Sequence, residues 1–102
     1  RLRALVLVPT RDLAQQVLSV FEIVMKNAPG QLTVGIITGQ RRFKDEQNTL
    51  LSSLHDDQAP KSAVDILIST PGRLVDHIDG TEHFTLEHLQ FLVIDEADRL
   101  LQ

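Results

Sequence analysis

Four short apolar runs alternate along this chain with segments whose apolar residues recur at helical spacing. The runs cover residues 4–8, 33–37, 64–68 and 91–94. Continuous apolar runs are typical of strands that are buried on both faces of a parallel sheet. The helical patterns cover residues 10–28, about 42–54, and 70–80. Strands joined by helical crossovers predict an α/β fold with helices on both faces of the sheet.

Each helical pattern has an apolar stripe that we expect to face the sheet. The first stripe is Leu13, Val17, Phe21 and Val24, widened by Ala14, Leu18 and Met25. The second is Phe43, Leu50, Leu51 and Leu54, and the third is Leu74, Val75 and Ile78. Thr10 and Thr70 are expected to cap the first and third helices. One further turn is expected over residues 85–89, before the last strand.

Composition narrows the class of protein without deciding its function. The 102 residues suffice for one small domain, and the apolar and charged fractions, 42% and 24%, are ordinary for a globular protein. The absence of cysteine excludes disulfides and thiolate metal sites. The net charge of −4 argues mildly against nucleic acid, although backbone amides at helix N-termini can hold phosphates. No apolar stretch approaches transmembrane length, and no membrane partner is expected.

The strongest chemical signal is the acidic sequence Asp95-Glu96-Ala97-Asp98, which directly follows the last apolar run. Three carboxylates so close together need a metal ion, a cationic partner or solvent to offset their charge. At the carboxyl edge of a parallel sheet, where ligands bind, this pattern favours a magnesium–nucleotide site. The alternative is that the acids merely open a helix, whose first turn favours them.

Three other segments are predicted to lie at the same edge, because every strand of a parallel sheet ends there. They are Pro9-Thr10-Arg11-Asp12-Leu13, Thr38-Gly39-Gln40 and Thr70-Pro71-Gly72-Arg73. Arg11 offers a planar fork for phosphate oxygens, Gly39 permits close backbone approach, and the amides of Gly72 and Arg73 point off a helix start. Each segment alone is also explained by an ordinary cap or turn. Their shared edge and their order make a phosphate-binding surface the stronger interpretation.

Together these segments resemble the first RecA-like domain of DEAD-box ATP-dependent RNA helicases, in superfamily 2. Residues 9–13 resemble motif Ia, with Asp12 in place of the usual Glu. The segment Thr38-Gly39-Gln40 occupies the place of the family's glycine pair, of which only Gly39 is present. Residues 70–73 match motif Ib, and residues 95–98 match motif II letter for letter. The resemblance implies that residues 1–102 are part of an N-terminal RecA-like helicase ATP-binding domain, a three-layer P-loop NTPase fold.

The resemblance also implies roles for the acidic residues. Asp95 would help hold Mg²⁺, through water, on the phosphates of ATP. Glu96 would orient and activate the water that attacks the γ-phosphate. Asp98 would help to link the nucleotide site to the RNA-binding and interdomain motifs.

An RNA strand is the second ligand that the resemblance implies. Its sugar–phosphate backbone would contact Pro9, Thr10, Arg11, Gly39, Thr70, Pro71, Gly72 and Arg73. Such contacts do not depend on the base sequence of the RNA. ATP would close two RecA-like domains on the RNA and bend one strand, so that a short duplex separates. Further implied partners are the second RecA-like domain and helicase cofactor proteins.

The chain lacks the Gly-x-x-x-x-Gly-Lys-Ser/Thr phosphate loop. It begins almost inside a strand and ends where a helix would start, so we expect an excerpt from a longer protein. We expect the excerpt alone to be inactive, to lack the phosphate-loop strand, to expose apolar surface and to fold poorly by itself.

For the longer protein that would contain this chain, the resemblance suggests an intracellular location, in the nucleus, nucleolus or cytoplasm, and a role in ribosome biogenesis. The sequence leaves two alternatives open. One is a related superfamily 2 helicase that acts on DNA. The other is a non-catalytic RNA-binding scaffold whose nucleotide site has decayed, although the intact Asp95 and Glu96 speak against it.

Three remaining features are interpreted as structural. The four histidines, His55, His77, His83 and His88, match no familiar metal-ligand spacing and are expected to be solvated. The basic residues Arg41, Arg42 and Lys44 are expected to form a solvated face. The polar stretch 55–62 is expected to be a loop.

Overall fold

The computed structural model describes residues 2–26, 32–51 and 64–95. Within these ranges the elements alternate as the apolar pattern predicts. The strands are β1 (Ala4–Leu7), β2 (Val34–Ile37), β3 (Ile66–Ser69) and β4 (Phe91–Ile94). The helices are α1 (Arg11–Lys26), α2 (Phe43–Leu50) and α3 (Pro71–Gly80). None of the described helices has the length and apolar character needed to cross a membrane.

All four strands pair in parallel, in the order β2-β3-β1-β4. Leu7 at the end of β1 lies opposite both Ser69 of β3 and Ile94 of β4, and Ile37 of β2 also lies opposite Ser69. The four carboxyl ends are therefore level. The predicted α/β fold with a parallel sheet is confirmed.

Two apolar clusters lie on opposite faces of the sheet, because alternate strand residues point to opposite sides. One cluster buries Leu5, Ile37 and Leu67 together with Leu50 of α2 and Leu74 of α3. The other cluster forms between the strands and α1. It buries Val6, Val8, Ala14 and Ile68, with Leu13, Val17, Leu18 and Phe21 partly buried around them. The three layers of the predicted architecture are thus present.

The last strand departs from the expectation of a strand buried on both faces. Phe91, Leu92, Val93 and Ile94 are 65%, 54%, 52% and 52% exposed. β4 is the edge strand beside β1, and no described strand pairs with its outer side. The apolar surface that we expected an incomplete sheet to leave uncovered is therefore located at β4.

Several predicted details of the helices are wrong. α2 ends at Leu50, because Leu51 already has extended backbone angles. Residues 52–54 of the predicted helix, with Leu54 of its stripe, lie outside the described residues. Three residues assigned to inner faces, Val24, Val75 and Ile78, are instead exposed. The inner face of α3 carries Leu74 and His77.

The turn expected over residues 85–89 is present. It is closed by the Leu89 amide, which donates to the Leu86 carbonyl.

Candidate functional site

The turns that follow the four strands lie along one edge of the sheet. Two hydrogen bonds extend the pairing just past the strand ends: the Val8 amide donates to the Ser69 carbonyl at 3.0 Å, and the Asp95 amide donates to the Leu7 carbonyl at 2.9 Å. The strand order places the turn after β2 beside that after β3, then the turn after β1, and then Asp95. The predicted common edge is therefore present.

The turn after β1 leads directly into α1. The Thr10 hydroxyl accepts a hydrogen bond from the Leu13 amide at 3.2 Å, as expected of a helix cap. Thr10, Arg11, Asp12 and Gln40 line an open hollow of about 440 Å³. Arg11 is exposed, and the first amides of a helix have no partner within it. Residues of opposite charge, Arg11 and Asp12, thus line the hollow at a helix start.

The turn after β3 begins α3 in a different way. Thr70 has extended backbone angles, but among the described residues its side chain makes no capping hydrogen bond, contrary to our expectation. Pro71 takes the first helical position, where a backbone N–H would have no helical partner in any case. Gly72 is exposed, and a Cβ built on it would meet nothing within 4 Å. The backbone at this helix start is therefore open to a close ligand.

The turn after β2 favours glycine. Gly39 has a φ of 87°, in the left-handed region that side chains disfavour. A Cβ at this position would lie 3.8 Å from Nε of Arg73. Gly39 and Arg73, which are distant in the sequence, therefore face each other at the edge of the sheet.

A buried carboxylate connects these two turns. Oε2 of Glu46 accepts hydrogen bonds from the amides of Thr38 and Gly39, at 3.2 and 3.0 Å. Oε1 accepts from Nε of Arg73 at 2.6 Å and from Nε2 of His77 at 2.8 Å. Glu46 is 1% exposed, so these four donors replace the water that a carboxylate would otherwise bind.

The pKa of Glu46 reflects two opposing influences. Burial raises the pKa, because it penalises the charged form. Hydrogen bonds from His77, Arg73 and the Gly39 amide, together with the charge of Arg73, outweigh that effect and bring the pKa below its ordinary value of 4.5. Glu46 is therefore an ionised group inside the protein.

The expectation that His77 is solvated is wrong. The His77 side chain is fully buried and stacks on Phe43, with 4.1 Å between ring centroids. Its Nδ1 atom lies 2.7 Å from the Thr81 hydroxyl, and its other nitrogen donates to Glu46. A partner for each nitrogen is what makes burial of the ring tolerable. His83 and His88 are exposed as expected, and His55 lies outside the described residues.

Arg73 is less accessible than we expected of a phosphate ligand. Its side chain is 20% exposed, and its guanidinium lies over the Phe43 ring, 5.0 Å from the centroid. Besides the bond to Glu46, one terminal nitrogen lies 3.4 Å from the Arg41 carbonyl and the other 3.9 Å from the Asp76 carboxylate. The terminal nitrogens, rather than Nε, are therefore the atoms that remain for an incoming phosphate.

The structure describes only the first acidic residue after β4. Asp95 is exposed at the strand end, whereas Glu96 and Asp98 lie outside the described residues. Mg²⁺ in nucleotide sites is usually held by one or two carboxylates, with water and substrate phosphates completing its shell. An exposed carboxylate at this position fits that donor set, although no group of three or more ligand side chains occurs among the described residues.

Sequence reasoning placed Gln40 at the edge without giving it a contact, and it missed the pair Glu46 and His77. A signal for the pair was present. Glu46 lies three residues after Phe43 and four before Leu50, and so falls on the apolar stripe of α2. His77 similarly lies three residues after the buried Leu74. Polar residues on the inner stripes of two helices indicate a buried pair.

Comparison with known proteins assigns the family. A family model described as DEAD/DEAH box helicase matches residues 1–102. The chain belongs to this family. It is 48% identical over 100 residues to the ATP-dependent RNA helicase DDX51 of Mus musculus, and 49% identical over 113 residues to the DEAD-box ATP-dependent RNA helicase 1 of Arabidopsis thaliana.

A solved DEAD-box structure has the same fold. The yeast DEAD-box splicing factor Prp28 superposes with a TM-score of 0.74 at 29% identity, over 98% of this chain and 20% of that one. The RecA-like α/β fold predicted for this chain is thus confirmed. The two sequence relatives are matched over 98% and 99% of this chain, which spans only 15% and 21% of their lengths.

The DEAD-box sequence motifs of this chain coincide with the turns along the sheet edge. The motif II sequence begins at Asp95, and the motif Ib sequence forms the open start of α3. Asp12, the departure in motif Ia, lines the hollow at the start of α1 together with Gln40, the neighbour of Gly39. In this DEAD-box chain the hollow therefore joins motif Ia to the turn after β2.

Proposed function

We propose that this chain is part of the N-terminal RecA-like domain of an ATP-dependent RNA helicase, which hydrolyses ATP when bound to RNA and locally separates short duplexes. The longer protein that would contain the chain is called the parent protein below. The common edge of the four turns carries the proposal. β4, which ends at the acidic motif, pairs directly with β1, which leads into the Thr10 turn.

The RNA contact is proposed for the edge formed by the turns after β1, β2 and β3. The exposed turn at Gly39 permits close approach of a ligand, although its Thr38 and Gly39 amides donate to Glu46. The hollow beside Arg11 and the open helix start at Gly72 present guanidinium and backbone donors. Such donors suit phosphate and 2′-hydroxyl oxygens, which are the same at every nucleotide. The remaining residues of the proposed contact are Pro9, Thr10, Thr70, Pro71 and Arg73.

The nucleotide contact is proposed for the acidic motif. Asp95 would hold a water of the Mg²⁺ shell, Glu96 would orient the attacking water and accept its proton, and Asp98 would connect this site to the RNA edge. Bound Mg²⁺ would neutralise charge on the ATP phosphates. The hydrogen bond from the Asp95 amide to Leu7 supports a connection between the two sites, because Leu7 is only three residues before Thr10.

The proposed partners follow from the same assignment. The parent protein would supply the phosphate loop and a second RecA-like domain that closes on RNA and ATP, and helicase cofactor proteins would regulate this closure. The family resemblance supports an intracellular role in ribosome biogenesis, in the nucleus or nucleolus. These statements concern the parent protein, of which this chain would be a small part.

Replacing Arg11 by Ala in the parent protein tests the proposed RNA edge. We expect weaker binding to single-stranded RNAs of every sequence, and a slope of log K against log salt that is shallower by about 0.7, the loss of one phosphate contact. Lys26→Ala, at the opposite end of α1, is the matched control and should bind normally. Unchanged affinity in Arg11→Ala, or a loss confined to certain base sequences, would contradict the proposal.

A further inference from the structure

Glu46 has a bonding pattern that only a carboxylate can satisfy. All four of its partners are donors: the amides of Thr38 and Gly39 meet one oxygen, and Arg73 and His77 meet the other. Because an ionised carboxylate accepts without donating, Nε2 of His77 carries its hydrogen. A neutral amide at position 46 would turn its NH₂ group toward one of the two donor pairs. That pair would then lose its acceptor.

The two donor pairs join two different turns of the proposed RNA edge. Thr38 and Gly39 form the turn after β2, whereas Arg73 and His77 belong to α3, which follows β3. Glu46 itself lies on α2 and is buried between them. One carboxylate therefore sets the distance between the Gly39 turn and the Arg73 side chain.

The same contacts restrain the orientation of the Arg73 guanidinium. Nε is held 2.6 Å from Glu46, and the guanidinium lies over Phe43, which stacks on His77. The two terminal nitrogens have longer contacts, 3.4 Å to the Arg41 carbonyl and 3.9 Å to the Asp76 carboxylate. Nε and one face of the guanidinium are thus held most closely, and the side chain keeps 20% of its surface exposed.

We propose that Glu46 is a positioning residue for RNA binding, which acts by fixing Arg73 and the Gly39 turn relative to each other. The inference rests on the proposed function, since it assumes that both turns contact RNA. Glu46 does not touch RNA itself, because it is 1% exposed. Its contribution is preorganisation: RNA meets a guanidinium and a turn that are already aligned with each other.

A catalytic use of the same groups does not fit their burial. Glu46, His77 and Thr81 are linked in the order acid, imidazole and hydroxyl, the order found in hydrolase triads. However, His77 is fully buried and Thr81 is 4% exposed, so a substrate has no access to the hydroxyl. The Thr81 hydroxyl also accepts a hydrogen bond from the Gln47 side chain at 3.1 Å. Glu46, His77 and Thr81 therefore have a structural role beneath the proposed RNA edge.

Glu46→Gln in the parent protein is the primary test, with Asp45→Asn as the control on the same helix. Both variants remove one negative charge, but the Asp45 side chain is 44% exposed and makes a longer contact of 3.4 Å with Arg42. We expect Glu46→Gln to weaken single-stranded RNA binding about tenfold, the effect of one charge-assisted contact, and Asp45→Asn to bind normally. Affinity is measured well below the melting temperature of each variant, so that lower stability alone does not change it.

A double-mutant cycle separates positioning of Arg73 from a general contribution of Glu46 to folding stability. If Glu46 acts through Arg73, Arg73→Ala will cost less affinity in the Glu46→Gln background than in the wild type. Additive losses would overturn the inference. Should Glu46→Gln fail to fold, Glu46→Asp replaces it in the cycle, because it keeps the charge but is one methylene too short to hold both turns.

Arg11→Ala distinguishes failure of this inference from failure of the proposed function. Normal RNA binding by the Glu46 variants, with weakened binding by Arg11→Ala, would overturn the role of Glu46 alone. Normal binding by Arg11→Ala and Arg73→Ala alike would overturn the proposed RNA edge, and the role of Glu46 with it.

Discussion

The amide of Asp95 donates a hydrogen bond to the carbonyl oxygen of Leu7, with 2.9 Å between nitrogen and oxygen. This bond connects the first acidic residue of motif II to the last residue of β1. Thr10, the cap of α1, follows Leu7 by three residues. A displacement of the β1 end would therefore move both the acidic motif and the proposed RNA edge.

Glu96→Gln in the parent protein tests the assigned roles of the acidic motif. We expect ATP turnover to be lost, because the amide cannot accept a proton from the attacking water, while ATP and RNA still bind. Single-turnover hydrolysis, together with equilibrium binding of both ligands, measures the two effects separately. An unchanged kcat would contradict the role of Glu96, and so would a loss of RNA binding as large as the loss of turnover.

Gly72→Ala should separate stability from RNA binding at the start of α3. Alanine in place of glycine restricts the unfolded chain, which stabilises a compatible backbone position by about 0.4–1 kcal/mol, and its Cβ would meet nothing within 4 Å in the free protein. We therefore expect a small gain in the free energy of unfolding by urea. The same Cβ would stand between the backbone amides and a phosphate, so RNA affinity should fall several-fold. A variant that is more stable and binds RNA normally would show that no phosphate approaches the Gly72 backbone.

Gly39→Ala should act through the backbone instead. At a φ of 87° an alanine costs about 1–2 kcal/mol, and the nearest atom to its Cβ is Arg73 Nε at 3.8 Å, an ordinary contact. Urea unfolding should show this loss. Gly39→Asn is the control, because asparagine tolerates the left-handed region better and should lose less stability. Equal losses for the two variants would indicate a steric cause rather than a conformational one.

The described fold follows closely from the sequence, and the errors of prediction have identifiable physical causes. Apolar runs locate all four strands, as is typical of parallel sheets, although the edge strand β4 is exposed. Periodicity assigns Val75 and Ile78 to the inner face of α3, whereas hydrogen bonding to Glu46 allows His77 to be buried there. The predicted α2 is too long, since apolar spacing does not reveal where the backbone becomes extended.

The edge of the sheet is likewise predictable, but its internal support is not. Chain order and parallel pairing place Thr10, Gly39, Thr70 and Asp95 together. That Arg73 is engaged by a carboxylate 27 positions earlier depends on how α2 and α3 pack, which no local pattern specifies. The sequence accordingly suggests an open phosphate ligand, whereas the Arg73 side chain is 20% exposed. Its contact with RNA stays a prediction.

The ionised Glu46 should make the parent protein sensitive to acid. Because its pKa in the folded state lies below the ordinary value of 4.5, its contribution to stability is present above that pH. The contribution is lost as the pH falls from about 4.5 through the lowered pKa. We expect Glu46→Gln, although less stable at neutral pH, to lose less additional stability on acidification to about pH 4 than the wild type does. Unfolding by urea at both pH values measures the difference, and an equal loss in both proteins would contradict it.

The most direct test of the central claim is the ATPase rate of the parent protein with RNA and with single-stranded DNA of the same sequence. If the edge contacts phosphates and 2′-hydroxyls in an RNA-dependent ATPase, RNA of any base sequence should strongly stimulate ATP hydrolysis. Single-stranded DNA should stimulate it little. Equal stimulation by DNA would contradict the assignment to RNA. ATP hydrolysis that no nucleic acid stimulates would contradict the proposed link between the acidic motif and the edge.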